Sequence, residues 1–316
     1  MGRGLCVLLG ALAVWGCGAS EPAPCPMPTA EQERAAFRAR AAELRERGPD
    51  VTRDEAAAGL PRPEGGLGVR VTRAGIGVGA QGGVASWSDE ELERRLAETD
   101  PMQLGALLSR PDPEVIVPLG EGGSVPEDEA PAGGFLLPGL LSALQAEPAL
   151  DGGEAVTLAI APRTPFRTVA AVVYTLGQAG AMDLDFMVRS DDALHVRRFA
   201  LPSLERALAA GGAELRPPLA VTLLGRGAVV SGPDGALAPG CEGPRSEPRQ
   251  LTFAAGSPAV EREALQRCLR RAVEDGANPA TVILSADPDV PFEHVLRAAV
   301  AAGEIFESLQ LSAGVM

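Results

Sequence analysis

The string "TPF", preceded by a strand-like run and followed by an apolar helical run, has a near copy 126 positions later. Residues 155–176 read "AVTLAIAPRTPFRTVAAVVYTL", and residues 281–302 read "TVILSADPDVPFEHVLRAAVAA". Each is a continuous apolar strand, a proline-kinked turn and a helix opened by phenylalanine. Phe166, Val169, Val173 and Leu176 recur at helical spacing, as do Phe292, Val295, Leu296 and Ala299, so each helix presents an apolar face. Gly180 and Gly303 stand where a left-handed residue ends such helices. Further strands follow at "LDFMVRS" and "SLQLSAG". Strand, crossover helix and strand of this length predict a parallel pair.

A second feature repeats upstream. "LGVRVTRAGIGVGAQGG" (67–83) and "LAVTLLGRGAVVSGPDG" (219–235) share Leu67/Leu219, Val69/Val221, Gly75/Gly227, Val78/Val230 and Gly83/Gly235. Both predict β-hairpins with glycine turns. A further helix is expected before each crossover. "PAVEREALQRCLRR" supplies it in the later half, with Val260, Leu265, Cys268 and Leu269 inward. "SDEELERRLAE", capped at Ser88, and "FLLPGLLSALQ" are the candidates in the earlier half. The hairpins stand 152 residues apart, against 126 for the crossovers, so the first copy carries an insertion. "RPDPEVIVPLGEGGSVPEDEAPAGG" has the composition of one.

The expected architecture is therefore α+β: two tandem ββαβαβ domains, each a small mixed sheet packed with two helices and each with its own core. The divisions are a signal peptide (1–16), a tether with one exposed helix (17–66), a first domain (67–199, with an insertion about 97–133), a linker (200–218) and a second domain (219–316).

The beginning of the chain is an address. In "MGRGLCVLLGALAVWGCGAS", Arg3 is followed by an apolar run from Leu5 to Trp15, too short to span a bilayer. Val14-Trp15-Gly16-Cys17 is similar to a bacterial lipobox, with Trp15 departing from the usual small residue. Lipidation is expected at Cys17, placing the chain in the cell envelope, facing the periplasm on a lipid anchor. The alternative is a plain secretory signal. In "TAEQERAAFRARAAELRERG", Thr29 starts the tether helix and Gly48 ends it.

Export bears on the cysteines. Cys241 in a Gly/Pro loop and Cys268 on a helix are natural disulfide partners in an oxidising compartment. Zinc is the alternative, although the cysteines and His195 and His294 lack ligand spacing. Cys25 is then odd, either free or paired between molecules.

Net charge is −14, and all 28 basic residues are arginine. A surface this negative repels polyphosphate, so nucleic acid is excluded as a partner. "GVGAQG" (77–82) matches a dinucleotide fingerprint, but strand continues where that motif requires a helix, and a hairpin turn is the better reading. His195 and His294 are expected at the surface. No nucleophile–base spacing is present, so the chain is read as non-enzymatic, with no cofactor and no metal. Asp287 is the notable acid, either a ligand or partner contact or, the preferred reading, a cap for its turn and the following helix.

Taken with "VILSADPDVPFEHVLRAAVAAG" and the helix-ending "GQAG", both units resemble the periplasmic domain of the ExbD/TolR biopolymer-transport family. Ala161 stands where the second unit has Asp287. The resemblance implies a non-enzymatic soluble module that dimerises and touches energy-transducing transport proteins or peptidoglycan. The family's proton-coupling role does not carry over, because the segment from Leu5 to Trp15 has no acid. The expected function is protein–protein contact in the envelope, with peptidoglycan binding as the alternative.

Overall fold

Strand pairing runs unbroken from one half of the chain into the other. The computed structural model describes residues 29–47, 51–52, 60–61, 66–80, 89–100, 115–130, 134–147, 150, 155–190, 193–201, 218–225, 227–232, 251–252 and 262–312. Cys17, Cys25, Cys241, Ser88 and Val260 lie outside the described residues.

The first half contributes the hairpin β2 (Leu67–Val71) and β3 (Gly75–Ala80), in which Val69 pairs with Val78. An edge strand, β4 (Val115–Pro118), lies antiparallel to β3. Strand β5 (Val156–Ile160) runs parallel to β2, and β6 (Asp183–Ser190) runs parallel to β5. The second half repeats the arrangement. Its hairpin is β8 (Leu219–Leu224) with β9 (Gly227–Ser231), in which Val221 pairs with Val230, and β10 (Leu251–Thr252) flanks β9. Strand β11 (Thr281–Ala286) is parallel to both β8 and β12 (Ser308–Leu311).

Strand β7 (Ala193–Ala200) joins the two sets. It is antiparallel to β6 along its whole length and meets β12 in parallel through Ala200 and Gln310. With β1 (Leu60–Pro61) on β7, the result is a twelve-stranded sheet in the order β10-β9-β8-β11-β12-β7-β6-β5-β2-β3-β4. The expected pair of small separate sheets is thus corrected to one sheet. The separate cores are corrected with it, because a single apolar cluster contains Phe166 and Leu158 together with Phe292 and Leu284. The order is nevertheless the same read outward from either side of β7: two parallel strands, a hairpin, then an edge strand.

Four helices share one apolar cluster with the sheet. Helix α3 (Pro138–Gln145) packs on α4 (Phe166–Gln178), and α5 (Arg262–Glu274) packs on α6 (Phe292–Ala302). The candidate "FLLPGLLSALQ" is therefore the one that matches the helix of the second half. Helix α4 buries more than one stripe, with Thr168, Ala170, Ala171, Val172 and Thr175 inside as well. A helix apolar on nearly every side must be enclosed. Its buried hydroxyls are satisfied: Thr175 Oγ1 donates to Ala171 O at 2.8 Å and accepts the Leu137 N–H at 3.0 Å.

Three local expectations change. Helix α1 (Ala30–Arg47), started by Thr29 as expected, is not wholly exposed, since Phe37 and Ala41 are buried. Its Arg38 grips Glu93 of α2 (Asp89–Glu98) with two hydrogen bonds of 2.8 and 2.7 Å. The supposed insertion contains β4. Residues 51–61 are not all linker, because Thr52 O accepts the Arg189 N–H and Leu60 pairs with Val196.

Glycine serves different purposes at the two helix ends. Gly180 is left-handed at φ 100°, as predicted, whereas Gly303 is right-handed at φ −68°. A Cβ on Gly303 would lie 2.8 Å from Arg197 Nη1, the far end of a flexible side chain that can move aside, and 3.2 Å from Ala299 O, so glycine eases this close approach without being required by handedness.

Candidate functional site

The two repeated turns meet. Pro165 lies opposite Pro291 in an antiparallel bridge. The Phe166 N–H donates to Val290 O and the Phe292 N–H donates to Thr164 O, both at 2.9 Å. The Arg167 N–H donates to Pro288 O and the Glu293 N–H to Pro162 O, again at 2.9 Å. A helix begins with N–H groups that have no partner of its own, and side chains usually supply one. Here each helix takes its caps from the main chain of the other turn, and neither has a side-chain cap.

That exchange removes the capping role expected of Asp287. Pro291 occupies the N-cap position of α6, and Asp287 contributes only main-chain bonds: its N–H to Leu223 O at 2.8 Å and its carbonyl to the Val290 N–H at 3.0 Å. Its carboxylate is exposed. Ala161 holds the equivalent place in the first turn, with its N–H on Val71 O at 2.9 Å, and its side chain is buried. Each turn is thereby tied to its own hairpin by one main-chain bond, whatever the side chain.

Charged side chains line the outside of the pair. Arg163 and Arg167 are exposed on the first turn, and Asp287 and Asp289 on the second. Arg167 and Asp289 approach to 3.5 Å. On the first helix, Thr168 Oγ1 donates to Gly123 O at 2.8 Å, fastening residues 121–123 against the same region.

His294 is a correction. It is buried at 5 % exposure, not solvated. Burial pushes its pKa below the ordinary value; Glu293 works against that shift and Arg297 adds to it. His195, expected at the surface, is half-buried opposite Val188 on β6. Cys268 is buried on α5 and disulfide-bonded; Cys241, its expected partner, lies outside the described residues, as does the lipidation candidate Cys17.

Among the described residues, the most deeply buried charge was not singled out from the sequence. Asp185 is fully buried on β6 and bonds the facing Arg198 of β7 through two contacts of 2.8 Å. The Asp185 carboxylate raises the Arg198 pKa further, against burial. The signal was present: Asp185 interrupts the apolar sequence Leu184, Phe186, Met187, Val188. Leu184, Phe186 and Val188 face the helices, and Asp185 and Met187 face the other way.

Among the described residues, no cluster of three or more His, Cys, Asp or Glu is arranged to hold a metal, and no helix is long and apolar enough to cross a membrane. No family model matches the chain, and no curated protein matches it. Among solved structures, the ethanolamine utilization protein EutJ from Carboxydothermus hydrogenoformans aligns over 86 % of this chain and 94 % of its own, at 14 % identity and a TM-score of 0.19. A score that low carries no conclusion about fold or function.

Proposed function

We propose that this chain is a non-enzymatic cell-envelope lipoprotein that makes protein–protein contacts through an ExbD/TolR-like module, with an energy-transducing transport complex as the class of partner. The observation that carries the address is Val14-Trp15-Gly16-Cys17 behind the short apolar segment. A lipid on Cys17 holds the chain at a membrane without a spanning helix. The contact role is supported by the paired turns, whose main-chain groups are spent on each other while Asp287 stays exposed. A buried, rigid support beneath an exposed carboxylate suits recognition of a basic partner surface.

The test is photo-crosslinking in cells from a reactive amino acid at position 287, combined with Cys17→Ser. The expected result is a discrete crosslink to an envelope protein, together with release of the Cys17→Ser chain from membranes. Membrane association unchanged in Cys17→Ser, with no palmitate incorporated by the unaltered chain, overturns the lipoprotein reading. Crosslinks confined to sacculus fragments transfer the role to peptidoglycan binding.

A further inference from the structure

The two paired turns carry opposite charge, and the distribution has a logic that their main chains do not. Position by position, Arg163 corresponds to Asp289 and Arg167 to Glu293. The first turn is basic at both places and the second acidic at both. In the antiparallel pair centred on Pro165 and Pro291, Arg167 comes to 3.5 Å from Asp289. The reciprocal bond from the Glu293 N–H to Pro162 O sets Glu293 beside the neighbour of Arg163.

The main-chain exchange is indifferent to partner. Each turn offers the same carbonyls and accepts the same N–H groups, so two first turns or two second turns from different molecules satisfy the same geometry. Side-chain charge separates these outcomes. A first turn paired with its own copy sets Arg167 against Arg163 twice; a second turn paired with its own copy sets Asp289 against Glu293 twice. Only the unlike pairing brings opposite charges together, Arg167 with Asp289 at 3.5 Å; at the other place it avoids a clash of like charges, with Glu293 paired to Arg297 of its own helix at 3.3 Å.

We propose that Arg163, Arg167, Asp289 and Glu293 form a pairing code that joins the first turn to the second and disfavours like pairings between copies of this chain. Exposed ion pairs contribute little stability singly. Their effect lies in the difference between pairings, where attraction in one is replaced by repulsion in the others. Arg167 and Asp289 are more than half exposed, so salt reaches and screens them.

The test uses the full chain in four forms: unaltered, Arg163→Glu/Arg167→Glu, Asp289→Arg/Glu293→Arg, and all four changes together. Thermal midpoints are measured at low salt and at about 1 M salt, where the screening length is about 3 Å. Each two-site variant is expected to melt about 2–4 °C lower at low salt, a shift typical of a modest change in a chain of this size. The four-site exchange is expected to recover part of that loss, because Glu293→Arg also removes the ion pair with Arg297, and the differences should shrink at high salt. A milder pair, Arg163→Gln/Arg167→Gln, should fall between and keeps the comparison available if a reversed variant does not fold. Failure of the four-site exchange to recover the midpoint, or a loss unchanged by salt, overturns the pairing code, because packing alone predicts both.

Discussion

Phe166 and Phe292 begin their helices by donating to each other's turns, Phe166 to Val290 and Phe292 to Thr164. Two capping tasks are thus solved by one contact, and the helix starts of the two halves become interdependent. The side chains reinforce this. The Phe292 ring packs tilted against Phe186, with centroids 5.1 Å apart, and Phe186 belongs to β6 of the first half and meets Phe199 edge-on at 4.9 Å.

Phe292→Ala should therefore destabilise the whole chain, not one half of it. Truncating a buried phenylalanine costs about 3–5 kcal/mol. Urea unfolding followed by far-UV circular dichroism should shift to lower denaturant as a single transition. Hydrogen exchange should accelerate in β5 and in β11 alike. Protection retained in β5 with loss confined to β11 would mean that the halves do not share one cooperative core.

Arg198→Ala should expose the cost of Asp185. Breaking a fully buried pair costs about 3–5 kcal/mol. Because Arg198 is itself half-exposed and water can reach the site, about 2–3 kcal/mol is expected. The double change Asp185→Leu/Arg198→Leu should be milder than Arg198→Ala alone, since it leaves no unpaired buried carboxylate. Chemical denaturation of the three variants provides the check; a double variant at least as damaged as the single one would assign Asp185 a role beyond pairing.

His294 should make stability fall in mild acid. Its pKa is depressed in the folded chain, so the folded state binds the proton less readily than the unfolded state, whose histidine titrates near 6.5. The contribution is fully present above about pH 6.5 and is lost as the pH falls through the folded pKa. Urea midpoints collected between about pH 7.5 and 5 should decline less steeply for His294→Gln than for the unaltered chain. Parallel profiles would show that the histidine does not control the slope.

Cys268 should pair with Cys241. Non-reducing peptide mapping of exported protein is expected to recover the linked peptides, and reduction should lower the melting temperature. Closing a loop of this length contributes about 3 kcal/mol on the chain-entropy model. Recovery of Cys268 linked to Cys25, or to another molecule, would reassign the bridge.

Much of the local structure was legible because it depends on neighbours in sequence. Alternation at Leu67, Val69 and Val71 and at Leu219, Val221 and Leu223 marks strands with one buried face, and both hairpins form, although Gly75 and Gly227 each open the second strand and do not make the turn expected of them. Helical spacing at Phe166–Leu176 and Phe292–Ala299 marks the crossover helices, and both parallel pairs follow. Gly75 was legible as a special position but for another reason. It is not a turn residue; a Cβ there would collide with the Val115 side chain and stand 2.7 Å from the main-chain Val117 O, so β4 could not approach.

What the sequence by itself determined is the repeated local pattern: hairpin, strand, helix started at phenylalanine, strand. What the tertiary structure decided is how the two copies share one body. Strand β7 bridges β6 to β12, the turns cap each other's helices, and Phe292 packs on Phe186. In this body His294 is buried and Asp287 is exposed without capping its helix, the reverse of the expected burial for the histidine and of the expected work for the acid. Periodicity records which face of an element is apolar; it holds no record of which distant element covers that face. Main-chain carbonyls look alike in every residue, and so do the N–H groups of all but proline, so a cap supplied by backbone carbonyls from over a hundred residues away leaves no mark in the residue types at either end.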